Sequence, residues 1–329
     1  MAVILKRTGF ALMTLALVTL LTFVLINNMP GDPLQQWAIE IVQSQGVTME
    51  EAMKQVRALY NYDPDEPVLR RLGRWVGGLL RGDLGQSLLY KVSVNKVVAQ
   101  ALPWTLLVLS VSLLLSFVIG VLLGTVIAWK RKTFLDPLVT AYASLTGATP
   151  DYITALVLLI VFAINLRWFP MRGAYTAGLA PGFNWPFIQS ILQHAALPVL
   201  AYTFENAAAW ALAMKGSAVS ALGEDYVTAA RVRGLKERRI AVFYMGRNAI
   251  LPLVTSLAIS LGSMIGGATF IESIFAYPGI GWFFAQAISR RDYGMMQGLF
   301  LLQAFAVIFA NLLADLLYTR LDPRIKLEG

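Results

Sequence analysis

The chain has 329 residues and a net charge of +8; 57% of its residues are hydrophobic and only 14% are charged. Soluble domains carry roughly 45–50% apolar and about 25% charged residues, so this composition excludes a typical soluble enzyme. The chain has no cysteine and one histidine, His194. These counts exclude disulfides, cysteine catalysis, thiolate metal sites and a histidine-rich metal centre. We expect no metal site and interpret His194 as a structural residue.

Long stretches with few or no charged residues predict six transmembrane helices. A helix needs about 20 apolar residues to cross the hydrocarbon core of a bilayer. The first stretch is too long for a signal peptide and lacks a small-residue cleavage site, so we expect it to remain as a span. The third should be kinked at Gly147 and Pro150. The six spans are predicted near 9–29, 103–128, 136–164, 195–215, 250–272 and 296–318.

The distribution of lysine and arginine predicts the orientation of these spans. Basic residues concentrate in the cytoplasmic loops of membrane proteins. With the N-terminus in the cytoplasm, the inside segments hold 15 basic residues, whereas the short outside loops hold 4. The predicted fold is therefore an all-α integral membrane protein with both termini in the cytoplasm. The positive charge is explained by topology, so we expect the lipid bilayer and no nucleic acid as a partner.

The spans divide the chain into three regions. Residues 1–29 form the N-terminal segment and first span, 30–102 an extracytoplasmic subdomain, and 103–329 a five-helix core. In the outer region, Thr48 and Glu51 form a capping-box pattern before a helix of about twelve residues. Arg70 to Leu80 is predicted as an amphipathic helix near the membrane, and 173–193 as an irregular outside loop.

The core contains a long cytoplasmic loop, 216–249, with a helical pattern. Acidic residues at 224 and 225 suit the start of a short helix, whose N-terminus favours negative charge. Gly234 suits its C-cap, and a second, basic helix is predicted from Lys236 to Arg247. One face of the short helix, where another surface can approach closely, is formed by Tyr226, Ala229, Ala230 and Arg233.

Acidic residues inside the predicted spans are candidates for a transport path. An intramembrane carboxylate is costly and usually faces a cavity or a partner. Asp151 and Glu205 are two such residues, and each is interpreted either as path lining or as part of an interhelical hydrogen bond or ion pair. The predicted translocation path comprises Asp151, Glu205, Asn206 and Trp210. The glycine pair Gly120-x-x-x-Gly124 permits close helix contact, inside one subunit or between subunits.

Several motifs together resemble the permeases of dipeptide/oligopeptide ABC importers. The loop residues Thr228-Ala229-Ala230, Gly234 and Leu251-Pro252 are similar to the "EAA" loop of that family, although Thr228 replaces glutamate and the spacing to Leu251-Pro252 is longer. The match extends in order along most of the chain. The other matching motifs are Pro30-Gly31-Asp32-Pro33, 81–87, Pro103-Trp104-Thr105, Glu272-Ser273-Ile274-Phe275, Pro278-Gly279-Ile280-Gly281, Arg291-Asp292-Tyr293, Gln297-Gly298 and Asp322-Pro323-Arg324-Ile325.

The resemblance implies a type I ABC importer permease fold in the inner (cytoplasmic) membrane. It also implies a coupling helix that docks on an ATPase. It implies an outer gate at Glu272, Phe275, Pro278 and Gly279. The residues implied in ATPase coupling are Glu224, Asp225, Tyr226, Ala229, Ala230, Arg231, Arg233, Gly234 and Leu235.

The resemblance also implies the partners. They are a second, related permease in a heterodimer, two ATP-binding subunits and an extracytoplasmic solute-binding protein. The sequence has no G-x-x-x-x-G-K-[ST] phosphate-binding loop. We therefore expect no enzyme activity and no cofactor on this chain, with ATP and Mg²⁺ bound by the partner ATPase. The expected substrates are peptides or similar small oligomers, including oligosaccharides.

Two other functions stay open at this point. An ion-coupled secondary transporter could use Asp151 and Glu205 as its ion sites, although no internal repeat supports this class. An intramembrane enzyme is the second alternative, although the sequence has neither H-E-x-x-H nor G-x-G-D.

Overall fold

The computed structural model describes residues 2–28, 33–60, 66–87, 89–130, 134–263 and 269–321. Three helices in this part of the chain are long and apolar enough to cross a membrane: α1 (Ala2–Asn27), α5 (Val94–Trp129) and α15 (Tyr293–Leu321). Two bent helix pairs raise the number of candidate spans to five. The all-helical, multi-span prediction holds for the described residues, while the predicted number of six goes beyond these candidates.

The other helices connect and surround these spans. Two of them continue into π-helical stretches, at 159–165 after α7 and at 240–246 after α10. Their bounds are α2 (Pro33–Gln45), α3 (Met49–Tyr60), α4 (Val68–Leu79), α6 (Leu135–Ala148), α7 (Asp151–Leu158), α8 (Trp185–Leu222), α9 (Asp225–Val232), α10 (Glu237–Arg239), α11 (Arg247–Ala249), α12 (Leu251–Ser263), α13 (Thr269–Ile274) and α14 (Ile280–Ser289).

The centre of the molecule is the long contact between α5 and α8. These helices have 36 and 38 residues, about 55 Å each at 1.5 Å per residue. A Cβ added at Gly124 would lie 2.7 Å from the Cβ of Met214 and would overlap the carbonyl oxygen of Ala211. A Cβ at Gly120 would overlap Trp210. The Gly120-x-x-x-Gly124 pair therefore packs two helices of one chain. The sequence contains another pair at this spacing, Gly262-x-x-x-Gly266, of which Gly266 lies outside the described residues.

Both long helices begin earlier than the sequence predicted. α5 begins at Val94 rather than near 103, because Ser93 caps it by accepting a hydrogen bond from the Lys96 amide and Pro103 is tolerated inside it. α8 begins at Trp185, so the predicted irregular loop 173–193 is wrong for residues 185–193. The Asn184 side chain accepts from the Phe187 amide and caps that start.

The predicted third span is divided by a sharp bend. α6 meets α7 and its π-helical continuation at an angle of 103°. Pro150 immediately precedes α7, where a proline favours extended backbone in the residue before it, and Thr149 is extended. The kink was predicted, but its size turns one span into two short helices. Asp151 consequently stands at the start of α7 and not in the middle of a continuous helix.

The predicted fifth span, 250–272, also differs from the structure. α12 covers its first half, residues 264–268 lie outside the described part, and α13 begins at Thr269. α12 and the preceding helical run Glu237–Ala249 meet at 43°, and together they are long and apolar enough to cross a membrane.

The outer region contains a helical hairpin and an amphipathic helix. α2 and α3 pack on each other around Leu34, Ala38, Ala52 and Val56. The predicted capping box precedes α3, since the Glu51 amide donates to Thr48 Oγ1 at 3.3 Å and the Thr48 amide donates to Glu51 Oε2 at 3.2 Å. α4 confirms the amphipathic helix predicted over 70–80.

Candidate functional site

Helix α9 stands at the end of the molecule where α5 and α8 finish. α8 ends at Leu222, and α9 begins three residues later. On its inner side, Val227 and Ala230 are buried against Ile240. Trp129 at the end of α5 and Leu222 at the end of α8 pack on the same cluster. Because one apolar cluster joins α9 to both long helices, a displacement of α9 would be transmitted to them.

The outward side of α9 differs from the predicted face. Tyr226, Ala229 and Arg233 are exposed, but Ala230 is only 2% exposed. The prediction that both alanines face another protein is therefore wrong for Ala230, because the buried spacing Val227 to Ala230 turns its methyl group inward. Sequence reasoning also missed Val232, whose apolar side chain is 84% exposed. The helix thus presents aromatic, small, apolar and basic side chains to its surroundings.

Gly234 ends α9 as the sequence predicted. Its φ of +71° lies in the left-handed region that favours glycine. The Leu235 amide donates to the Ala230 carbonyl at 3.2 Å, and the Gly234 amide donates to the Arg231 carbonyl at 2.9 Å. These two bonds and the contact of Leu235 with the cluster of Ala230 form a Schellman motif. The connection after α9 is consequently well defined.

Charged residues surround α9 on its exposed sides. Glu224 is extended and Asp225 opens the first turn, where negative charge suits the helix dipole. Both are exposed. Arg231 Nε lies 3.9 Å from Glu237 Oε1, and both side chains are about half exposed or more, so this ion pair contributes little. The predicted basic helix 236–247 is present as α10, its π-helical continuation and the start of α11.

A buried carboxylate organises the opposite end of the molecule. Glu272 belongs to α13 and is 0% exposed, and its carboxylate meets the start of α14. Its Oε2 accepts from the amides of Gly281 at 2.7 Å and Trp282 at 3.1 Å. Its Oε1 accepts from the hydroxyl of Thr105 at 2.7 Å, and Thr105 Oγ1 accepts from the Ile280 amide at 2.8 Å. Glu272 therefore joins α13, α14 and α5.

The residues predicted as an outer gate are packed around this carboxylate. Phe275 is 2% exposed, and a Cβ at Gly279 would overlap the carboxyl group of Glu272. Pro278 is half-buried. The neighbouring Tyr277 is fully buried, and burial, with a smaller effect from the negative charge of Glu272, raises the pKa of its hydroxyl above its ordinary value. The four predicted residues do come together, as a well-packed corner.

A second buried carboxylate, Asp292, was not recognised as a site from the sequence. Its Oδ2 accepts from the Ser87 hydroxyl at 2.5 Å and the Leu89 amide at 3.0 Å. Its Oδ1 accepts from the Met295 amide at 3.1 Å and so caps α15. Ser87 and Asp292 belong to two of the motifs that carry the family resemblance, 81–87 and 291–293. Only the fold shows that these two motifs are in contact. Pro30-Gly31-Asp32 and Asp322-Pro323-Arg324-Ile325 lie outside the described residues.

The residues predicted for the translocation path do not form one cluster. Glu205 on α8 is half-buried and accepts a hydrogen bond from the Thr154 hydroxyl of α7. Asn206 is exposed, and its amide donates to the Tyr202 carbonyl at 2.9 Å. The Trp210 ring makes an edge contact with Phe117 of α5, with centroids 5.1 Å apart. Asp151 is exposed at the start of α7.

Three of them, Glu205, Asn206 and Trp210, instead lie along one exposed stripe of α8. At 100° per residue, Glu205 lies on one border of the stripe, Trp210 on the other, and Asn206 inside it. The exposed positions between these two borders are small: Ala209, Ala213, Gly216 and Ser220. The exposed side chains of Leu212 and Val219 lie just beyond Glu205. The exposed side of α1 is different, since it carries large apolar residues suited to lipid, namely Phe10, Leu12, Met13, Leu17 and Leu20.

His194 has the structural role that the sequence suggested. It is buried in α8, and its Nδ1 lies 2.7 Å from the Ser190 carbonyl oxygen. Ser190 Oγ in turn accepts from the Thr176 amide at 2.8 Å, which joins the 166–184 connection to α8.

Comparison with known proteins identifies membrane transport components as relatives, which agrees with the long apolar helices of this chain. Residues 120–327 match the family described as "Binding-protein-dependent transport system inner membrane component". A protein of Brucella suis biovar 1 that carries a peptide-permease name is 36% identical over 324 residues, 98% of each chain. The oligopeptide transport system permease protein AppB of Bacillus subtilis is 30% identical over 99% of each chain.

A third relative is the di/tripeptide transport system permease protein DppB of Pseudomonas aeruginosa, which is 31% identical over 98% of this chain and 97% of its own. The relatives therefore match almost the whole length of this chain, including the outer region. The chain is a member of the family of inner membrane components of binding-protein-dependent transport systems.

Proposed function

We propose that the chain is one of two permease subunits of an ATP-driven ABC importer for peptides. The observation that carries this proposal is α9, which is exposed on its outer side and joined on its inner side to the ends of α5 and α8. A partner that moved α9 would move both long helices. The absence of a phosphate-binding loop from the sequence supports ATP hydrolysis on a separate subunit.

The family name supports a solute-binding protein as a further partner, and the names of the relatives favour peptides over oligosaccharides. We assign six spans to the chain, with α9 and both termini in the cytoplasm. Two ATP-binding subunits would dock on this chain and on a second, related permease. ATP and Mg²⁺ would bind between those partner subunits.

The exposed stripe of α8 is our candidate for the translocation path. Glu205, Asn206 and Asp151 would be costly against lipid, so this side of the chain suits water or a second subunit. The small residues of the stripe would allow either of these to approach closely. At the opposite end, we assign the outer gate to the corner of Phe275, Pro278 and Gly279, anchored by Glu272.

The docking role of α9 is tested by charge at its exposed apolar position. Val232→Glu should reduce ATP-dependent peptide uptake by at least tenfold and abolish co-purification of ATPase chains, because a carboxylate would be buried in the interface. Phe134→Glu is the matched control, since Phe134 is also exposed and apolar but lies outside α9. If the two variants lose uptake equally, or neither loses it, α9 is not the docking helix.

The ion-coupled alternative remains distinguishable by its energy source. Asp151→Asn and Glu205→Gln should leave uptake dependent on ATP and insensitive to collapse of proton and sodium gradients. Uptake by this chain alone, driven by an ion gradient and lost in both variants, would favour a secondary transporter instead.

A further inference from the structure

An apolar groove of about 670 Å³ lies between α1, α4 and α15. Leu12 to Leu20 of α1 and Leu301 to Phe305 of α15 line two of its sides. These residues lie well inside the stretches Lys6–Ile26 and Tyr293–Leu312, which are long and apolar enough to cross a membrane. On these two sides the groove therefore reaches the depth of the hydrocarbon core.

The third side of the groove is formed by α4 and the turn that follows it. Leu72, Val76 and Leu79 point along this side, and Leu80 is 85% exposed. No residue of α4 is buried by the rest of the described chain, although the helix is strongly amphipathic. It is attached to α1 by stacking of Trp75 on Phe23, with ring centroids 5.8 Å apart. The described part of the chain thus leaves the apolar side of α4 only partly covered.

The polar side of α4 carries basic residues. Residues 66–81 contain four arginines and one acidic residue, Glu66, which lies 2.5 Å from Arg74. Arg70 and Arg81 are exposed. A basic amphipathic helix beside an apolar groove is the arrangement expected for a helix in the membrane interface. Its arginines attract the phosphates of anionic lipids.

The size of the groove favours a lipid chain over a helix of another protein. Its volume lies within the range of about 300–1,000 Å³ that is usual for small-ligand sites. A helix with its side chains is about 10–12 Å across and would cover the groove without filling it. We propose that this groove binds one acyl chain of an anionic phospholipid, whose phosphate lies beside the arginines of α4. This site is independent of the solute that the transporter carries.

Blocking the groove provides the first test. Ala16 lines the groove, whereas Leu17 is exposed on α1 outside it. The chain is purified in mild detergent with the subunits that accompany it, freed of loose lipid and incubated with phosphatidylglycerol. Native mass spectrometry should show phosphatidylglycerol retained by the wild type and by Leu17→Trp, and lost from Ala16→Trp. Equal retention by both variants, or a protein chain in place of the lipid, would overturn the proposal.

Removing exposed arginines tests the headgroup contact without disturbing packing. Arg70→Gln with Arg81→Gln should lower the preference for phosphatidylglycerol over phosphatidylcholine about fivefold for each arginine. Lys96→Gln, an exposed change outside α4, should leave the preference unchanged. Glycerol phosphate, which has no acyl chain, should not displace the lipid. An unchanged preference in the double variant, or displacement by glycerol phosphate, would contradict the proposed site.

Discussion

At the residue scale, two buried carboxylates explain why distant motifs belong together. Glu272 receives hydrogen bonds from α14 and α5, and Asp292 receives them from the 81–87 segment and from α15. Each carboxylate satisfies three donors that burial would otherwise leave without water. The two carboxylates stabilise the fold by accepting from these donors, because an unsatisfied buried donor costs roughly 1–3 kcal/mol.

Removal of the Glu272 side chain should therefore destabilise the chain strongly. Glu272→Ala leaves two amides and one hydroxyl without their acceptor, at roughly 1–3 kcal/mol for each donor. Glu272→Gln keeps one acceptor and should lose about half as much. The measurement is the apparent Tm of the purified chain at a fixed heating rate, since unfolding of such proteins is often irreversible. Glu237→Ala, at an exposed acid, is the control and should leave the Tm unchanged.

A Glu272→Ala variant with the wild-type Tm would show that the carboxylate does not hold this corner. A large loss in both Ala and Gln variants would instead mean that the charge itself is required there.

The sequence located these residues but could not assign their contacts. Glu272, Pro103-Trp104-Thr105 and 278–281 were separate motifs along the chain, and the bond between Thr105 and Glu272 spans 167 positions. One sequence contains no information on such pairs beyond the residue types. The position of Ala230 was also beyond prediction from the sequence. Helical periodicity allows either side of α9 to face inward, and the packing of Val227 on Ile240 decides which side does.

At the element scale, the contact of α5 with α8 is the main structural axis. Glycine at 120 and 124 lets the two backbones approach, with Ala207, Ala211 and Met214 on the other side. This contact occurs inside one chain, so the exposed stripe of α8 remains available for a second subunit or the transport path. The sequence predicted a close helix contact but left the partner open, because the two glycines specify the surface of only one helix.

An added methyl group should have opposite effects at Gly124 of α5 and at Gly216 of α8. Gly124→Ala would overlap the Ala211 carbonyl and should destabilise the chain by about 1–3 kcal/mol. Gly216→Ala meets nothing within 4 Å and should be neutral or stabilising by up to about 1 kcal/mol, because alanine is the better helix former. Apparent Tm values of both variants measure this difference. Equal values would mean that α5 and α8 are not in close contact at Gly124.

Local capping chemistry was recognised in the sequence at two helix ends and overlooked at two others. Thr48 and Glu51 cap α3, and Gly234 ends α9, as the sequence indicated. The starts of α5 and α8 were missed because Ser93 and Asn184 precede segments of mixed polarity, and a search for apolar stretches begins too late there. Caps depend on three or four neighbouring residues, so they can be recognised without the fold.

At the scale of the whole molecule, composition predicted a multi-span protein, but the number of crossings depends on the bends. The 103° angle between α6 and α7 permits two arrangements, a broken span or a loop that returns to the same side. Hydropathy cannot distinguish them, because both bury the same apolar residues. The six-span topology requires the first arrangement, since Phe134 and Phe183, which flank the pair, must then lie on opposite sides of the membrane.

Single cysteines at these two positions should decide the topology, because the chain has no cysteine of its own. Phe134 is 74% exposed and Phe183 is fully exposed, so both replacements should be reactive. In spheroplasts, a charged maleimide that does not cross membranes should label Phe183→Cys and should label Phe134→Cys only after permeabilisation. Labelling of both in detergent is the control for reactivity. Labelling of both from outside would make α6 and α7 a re-entrant pair, and the reverse pattern would invert the assigned orientation.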